Sequence, residues 1–241
     1  MKIHILTDGE FTGYDSVRLS VNCYLISYAD QNILIDTGIG NNSFFDTDKY
    51  SVKYPRKLLT SIKDHGLGPE NITKIIYTHL HFDHSNGSFD SDGKCIFKNA
   101  KHLIQETEWM RFLNCDSDIR KNLFLNLYES GNMELIHGSA CIDGKIKLIL
   151  CGGHTEGFQY AKVNINGQEH IFAGDIIPTV WHINNGNSPG IDHDIEKTFE
   201  IKREILESCI SNKSLLYFQH SSMTRSSRIV RYGERFKTIK I

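Results

Sequence analysis

Long apolar runs are missing from this chain. No stretch approaches the ~18 consecutive apolar residues of a membrane-crossing helix. The amino terminus turns polar after Leu6, too early for a secretory leader, so neither element is expected. Paired cysteines are missing too. Cys23, Cys95, Cys115, Cys141, Cys151 and Cys209 are scattered, with no Cys-x-x-Cys spacing. They read as reduced, mostly buried thiols of a cytoplasmic protein. Cys151, shortly before His154, reads as a core residue at a strand end. No charge of one sign dominates: 27 Lys and Arg face 29 Asp and Glu, a net charge of −2. That balance favours neither nucleic acid nor an anionic membrane as partner. The chain has no Gly-x-Ser-x-Gly elbow for a serine hydrolase, and no linker, low-complexity tract or short repeat. What remains is an ordinary globular composition, 39% hydrophobic and 23% charged. Its 241 residues suffice for one sizeable core, or at most two halves sharing an interface. A single domain over residues 1–241 is the expectation.

Against this plain background stands Thr78-His79-Leu80-His81-Phe82-Asp83-His84. Lys74-Ile75-Ile76-Tyr77 before it has the character of a buried strand. Ser85-Asn86-Gly87 after it breaks that strand. On an extended segment, positions i and i+2 point the same way, so His79 and His81 can grip one cation. Asp83 and His84 follow where the chain curls and can face a second point nearby. Imidazole and carboxylate suit Zn²⁺, Fe²⁺ or Mn²⁺. Two such points a few ångströms apart make a two-metal site, with about 3.5–4 Å between ions. The competing reading is a histidine-rich surface turn, which four ligand-type residues in six positions argue against.

The rest of the chain alternates strands and helices. Residues 2–6, 19–29 and 32–36 read as strands, with Asp30-Gln31 turning the last pair. Residues 41–54 read as a loop. Pro55 opens a helix with Leu58, Leu59 and Ile62 on one face, stopped by Gly66. Cys95-Ile96-Phe97 and His102-Leu103-Ile104 read as short strands. Residues 106–128 read as helical, with a break near Asn114–Ser117. Met133–His137 reads as a strand. Asp143-Gly144 and Asn166-Gly167 are hairpin signals. They join Ser139–Ile142 to Lys145–Leu150 and Gln159–Ile165 to His170–Ala173. Asp194–Ile210 reads as an amphipathic helix with Ile195, Phe199, Leu206 and Ile210 on one face, capped by Asp192 or Asp194. Ser214–Gln219 reads as the last buried strand. The tail carries Arg225, Arg228, Arg231, Arg235, Lys237 and Lys240 and reads as a solvated strand or edge.

The His-x-His-x-Asp-His pattern resembles the signature of the metallo-β-lactamase superfamily of metallohydrolases. Four more segments resemble that family's motifs in order: Asp36-Thr37-Gly38, Gly153-His154-Thr155, Gly174-Asp175 and Gln219-His220. The resemblance implies an α/β (α+β) fold, a four-layer αββα sandwich with a dinuclear metal site at the edge of two sheets. It implies that His79, His81 and His154 hold one metal. Asp83, His84 and His220 would hold the other, with Asp175 bridging. The cofactors would be two divalent ions, zinc first, with iron or manganese as alternatives. Asp36 would orient a ligand histidine from behind. The run Pro178-Thr179-x-x-His182 resembles the lactonase-like and organophosphate-hydrolase-like branch and makes His182 a candidate substrate contact. Asp83 is the candidate proton carrier. After His220, Ser221 departs from the acidic residue common there.

The function implied is metal-dependent hydrolysis of an ester or lactone, with an acyl-homoserine-lactone-like substrate. Phe82, Trp109, Phe112 and Trp181 are candidates to accept an acyl chain, though each alone fits a core. The alternatives are a thioesterase similar to hydroxyacylglutathione hydrolase, a phosphoester hydrolase, and a non-catalytic metal-binding protein. A small molecule is the expected partner. The oligomeric state stays open, a homodimer included.

Overall fold

A computed structural model of the chain describes residues 1–12, 17–45, 50–54, 57–115, 118–184 and 190–239. It divides into Met1–Ile136 and His137–Ile241, taken here in turn.

The first unit is built on a seven-stranded sheet. Its strands are β1 (Lys2–Thr12), β2 (Arg18–Tyr28), β3 (Gln31–Ile35), β4 (Ser51–Lys53), β5 (Lys74–Ile76), β6 (Lys101–Gln105) and β7 (Met133–Ile136), in the order β4-β1-β2-β3-β5-β6-β7. The β4, β1, β2 and β3 neighbours are antiparallel, and β3, β5, β6 and β7 run parallel. Seven successive residues of β2, Ser20–Ile26, are buried, as in a strand covered on both faces. The first strand is longer than its apolar start suggests because a bulge between Thr7 and Glu10 lets it go on pairing. That bulge turns Asp8 inward. Its Oδ1 accepts from the Leu58 amide at 2.7 Å and its Oδ2 from the Gly40 amide at 2.8 Å. Asp8 thus caps helix α1 (Leu58–Lys63) from fifty residues away.

Helices α3 (Glu106–Leu113) and α4 (Lys121–Glu129) place Trp109, Phe112, Phe124 and Leu127 in one core with Leu34, Ile75 and Ile104. Parallel pairing decides where this unit's functional residues go. Ile35 and Ile76 are register partners. The residues that follow, Asp36 and Thr78 onward, therefore emerge side by side at the carboxyl ends of adjacent strands, where α/β sheets place ligands.

The second unit has strands β8 (Ala140–Ile142), β9 (Ile146–Leu150), β10 (Gln159–Ile165), β11 (Gln168–Phe172), β12 (Leu215–Tyr217), β13 (Ser226–Tyr232) and β14 (Arg235–Ile239), in the order β14-β13-β12-β11-β10-β9-β8. All neighbours are antiparallel except β11 and β12. Those two are joined by α5 (Ile195–Ser211). Asp143-Gly144 and Asn166-Gly167 all take positive φ, as type I′ hairpin turns require. Phe172 and Tyr217 are parallel partners, so Asp175 and His220 each lie three residues beyond a paired position.

Several sequence expectations need correction. The first hairpin turns at Ala29-Asp30, since Tyr28 pairs with Gln31 and Ala29 takes the positive φ. Cys95-Ile96-Phe97 is not a strand; only a bridge from Cys95 to Phe89 forms. Leu59 is exposed while Leu58 and Ile62 are buried. The buried face of α5 is Thr198, Ile201, Lys202, Ile205, Leu206 and Cys209, and Ile195 is exposed. A lysine on that face hides it from a hydrophobicity pattern. Among the cysteines only Cys23 and Cys209 are fully buried, and none is in a disulfide. Pro55, residues 116–117 of the helix break, residues 46–49 of the loop and Lys240 lie outside the described residues. The basic tail forms the edge hairpin β13–β14. Among the described residues no helix is long and apolar enough to cross a membrane.

Candidate metal centre

In the first unit the ligand candidates rise from the end of β5. Tyr77 still pairs with β6, its amide donating to the Leu103 carbonyl. After Thr78 the chain leaves the sheet, and α2 (Phe82–Ser85) carries Asp83 and His84. Asp36 organises this turn. It is fully buried with φ 57°, a left-handed conformation that Asp tolerates better than most residues. Its Oδ1 accepts from the Thr78 amide and its Oδ2 from the Thr78 hydroxyl, both at 2.8 Å. Oδ2 also meets His84 Nδ1 at 2.8 Å. A carboxylate can only accept there, so His84 donates from Nδ1 and turns Nε2 toward Asp83 Oδ2, 3.6 Å away.

The same reasoning fixes His79. The Thr78 hydroxyl spends its hydrogen on Asp36, so at 3.1 Å it accepts from His79 Nδ1. His79 Nε2 is then a lone pair, 2.8 Å from His81 Nδ1. Two imidazole nitrogens directed at one point, one of them fully buried, are what a divalent cation requires.

The second unit repeats the device. His154 Nδ1 lies 2.7 Å from Asp192 Oδ1, with both side chains buried. Its proton therefore sits on Nδ1, and Nε2 faces Asp175 Oδ2 at 3.4 Å. The other oxygen, Asp175 Oδ1, is 3.0 Å from His220 Nε2. Each oxygen of Asp175 thus faces a different imidazole. An imidazole nitrogen buried against a carboxylate needs a proton or a metal ion between the two. The donor chemistry fits divalent metal, with the histidines held from behind by carboxylates.

The sequence offers Asp192 or Asp194 as the cap of α5. Asp194 alone caps α5, accepting from the Lys197 amide. Asp192 instead orients His154. The backbone puts it there: the amides of His193 and Asp194 donate to the carbonyls of His154 and Gly153. The serine after His220 also has a role. Ser221 Oγ accepts from the Val180 amide at 3.1 Å, and the His220 amide donates to the Pro178 carbonyl. The Pro178-Thr179 run is thereby latched to the His220 loop.

His182 stands on a short 3-10 turn, Val180–Ile183. Its Nδ1 is 2.7 Å from Thr179 Oγ1, and burial lowers its pKa to about 4, so the ring is neutral near pH 7. Cys151 packs on the second unit's core, its thiol donating to the carbonyls of Gly152 and Phe158. Burial pushes that thiol up to about 12, so it rests protonated as a core thiol. Of the aromatic candidates, Trp109 and Phe112 are core. Trp181 is 66% exposed, and Phe82 packs edge-on or tilted against Phe11, Phe45 and Tyr50.

Comparison with known proteins follows the same line. The profile of the metallo-beta-lactamase superfamily matches residues 17–207. An N-acyl homoserine lactonase from a Bacillus species is 24% identical over 229 residues, 90% of this chain and 87% of its own. Another, from Bacillus cereus, is 25% identical over 154 residues, and the match spans only 58% of that relative's length and 59% of this chain. Among solved structures, one from Staphylococcus aureus described as "a probable metal-dependent hydrolase" superposes with a TM-score of 0.86 at 22% identity, covering 100% of this chain and 97% of the other. AidC, a dizinc quorum-quenching lactonase in complex with a product, superposes with a TM-score of 0.80 at 19% identity, covering 98% and 93%. These structural likenesses establish the fold.

Proposed function

The chain belongs to the metallo-beta-lactamase superfamily, and from that premise we propose that it is a dinuclear metallohydrolase. Its substrate in this reading is an ester or lactone resembling an acyl-homoserine lactone. His79, His81 and His154 hold one ion. Asp83, His84 and His220 hold the other, and Asp175 serves both. The observation that carries the reading is the pair of carboxylate-anchored histidines. Asp36 behind His84 and Asp192 behind His154 each fix the tautomer that offers Nε2 to a cation.

Bound divalent ions would bring a water to a pKa of about 7 and polarise a carbonyl. The chain's residues do the rest. Asp83, buried beside His84, carries the proton to the leaving alkoxide. Thr179 accepts from the Trp181 amide and so directs its hydroxyl hydrogen to His182 Nδ1. Neutral His182 then presents an Nε2–H donor to the substrate carbonyl. Exposed Trp181 and the Phe82 aromatic group supply apolar surface for an acyl chain. Support for lactones over other esters comes from the Pro178-Thr179-x-x-His182 run and from relatives that are N-acyl homoserine lactonases. Zinc is the first choice of metal, and the absence of disulfides fits a cytoplasmic setting.

The test is acid release from a panel of acyl lactones, simple esters and glutathione thioesters, by protein loaded separately with Zn²⁺, Mn²⁺ and Fe²⁺. Asp175→Ala is the control. Lactone opening that depends on metal and is lost in the variant is the expected outcome. Thioester cleavage alone would replace the lactone assignment. Equal rates in the variant would remove the metal mechanism.

A further inference from the structure

Between His79 and His81 the chain runs through Leu80, whose backbone has left the sheet. An exposed loop would give those polar groups to water, but Leu80 is fully buried. Two charged side chains take them instead. Glu108 of α3, 1% exposed, accepts from the Leu80 amide at 2.9 Å through Oε1. The same carboxylate is gripped by Arg111, at 2.5 Å to Oε1 and 3.1 Å to Oε2. Arg120, 3% exposed, donates an Nη2 hydrogen to the Leu80 carbonyl at 2.7 Å and an Nη1 hydrogen to Ser85 Oγ at 2.8 Å. Ser85 Oγ in turn donates to the His81 carbonyl at 2.9 Å. Asp118 holds the far side of the guanidinium, at 3.0 Å from Nε and 2.6 Å from Nη2. Phe112 and Phe124 lie near it, with ring centroids at 5.5 and 5.9 Å.

The geometry matters because of which bonds are held. The Leu80 amide belongs to the peptide plane joining His79 to Leu80. The Leu80 carbonyl belongs to the plane joining Leu80 to His81. Peptide planes are rigid, and the chain moves only about the dihedrals between them. Fixing both planes fixes the relative positions of the two α-carbons from which the imidazoles project. The hydroxyl of Ser85 holds the next plane. Buried charges are costly, and packed apolar residues often stabilise a core as well or better. Here both charges converge on the backbone of one residue from opposite sides.

We propose that Glu108 and Arg120 are positioning residues that set the bite of His79 and His81 on one metal ion, a role that rests on reading those histidines as ligands. Neither residue touches the ion or the substrate in this proposal; each acts through the Leu80 peptide planes. The sequence pattern hides both inside the helical stretch 106–128, where they resemble ordinary surface charges of amphipathic helices.

The experiment measures Zn²⁺ binding by chelator competition and the visible spectrum of Co²⁺-loaded protein, with unfolding of the metal-free form followed alongside. The variants are Glu108→Gln, Arg120→Lys, His79→Ala and, as a packing control on α4, Leu127→Ala. The expected result is a loss of affinity for one of two ions by about 10–100-fold in the Glu108 and Arg120 variants, with an altered Co²⁺ spectrum. Leu127→Ala should lower the unfolding midpoint and leave affinity and spectrum as in the parent. Parent-like affinity and spectrum in both Glu108→Gln and Arg120→Lys would overturn the proposal, as would an equal affinity loss in Leu127→Ala. His79→Ala separates the two levels. If it loses one ion while the Glu108 and Arg120 variants lose none, the clamp alone fails. If it keeps both ions, the ligand reading fails and the clamp with it.

Discussion

Asp8 shows how one residue can make stability depend on pH. Burial pushes its carboxyl up to about 7 from the ordinary 3.8, against the pull of the Gly40 and Leu58 amides that it accepts from. A raised folded pKa means that the folded chain holds the proton more tightly than the unfolded one. Asp8 therefore contributes most below about pH 4, and its contribution falls as pH rises toward 7 and is flat above. The shift corresponds to something on the order of 4 kcal/mol. Urea unfolding at pH 5 and pH 8 is expected to show this slope in the parent and not in Asp8→Asn, so the stability gap between the two narrows with rising pH. An unchanged gap would mean that Asp8 stays charged and solvated. Nothing in the local sequence marks Asp8, because its partners lie 32 and 50 residues away.

At the scale of elements, the β3 and β5 loops interlock at Gly87. Its amide donates to the Gly38 carbonyl, and a Cβ built there would lie 1.9 Å from the Thr37 carbonyl oxygen. That is backbone against side chain, with no flexible end to move aside. The Thr37 amide also donates to the His84 carbonyl at 2.7 Å, so displacement at Gly87 would move the turn that carries the proposed ligands Asp83 and His84. Gly87→Ala is expected to cost more than about 4 kcal/mol, the range reserved for such conflicts. A thermal melt checks this, and a midpoint within a few degrees of the parent would contradict it. Elements were legible in the sequence where their signal is local. The two positive-φ hairpins and the strand before His79 follow from turn chemistry and alternation. The face of α5 was not legible, because Lys202 and Thr198 are buried on it and Ile195 is not.

For the whole molecule, the proposed ligand set draws His79, His81, Asp83 and His84 from the first unit and His154, Asp175 and His220 from the second. Ions held by both should stabilise both. Removal by EDTA is expected to lower the unfolding midpoint, by a free energy of about 2.7 kcal/mol if free metal stands at 100 times its dissociation constant. The chain has two tryptophans, Trp109 in the first unit and Trp181 in the second. Trp109→Phe and Trp181→Phe therefore give one fluorescent reporter per unit. Both reporters should shift on chelation, and a shift in only one would tie the metal to a single unit.

By itself, the sequence determined which residues are candidates to carry the chemistry and in what order. Ligand types, their i and i+2 spacing, the strand before them and the turns between strands are set by near neighbours along the chain. Tertiary structure decided how those ligands point. The tautomer of His154 depends on Asp192, 38 residues on, and that of His84 on Asp36, 48 residues back. The planes flanking Leu80 depend on Glu108 and Arg120, 28 and 40 residues on. An imidazole is oriented by what binds its other nitrogen, and a loop by what receives its amides and carbonyls. Those partners are brought by strand register and helix packing, which local sequence does not encode.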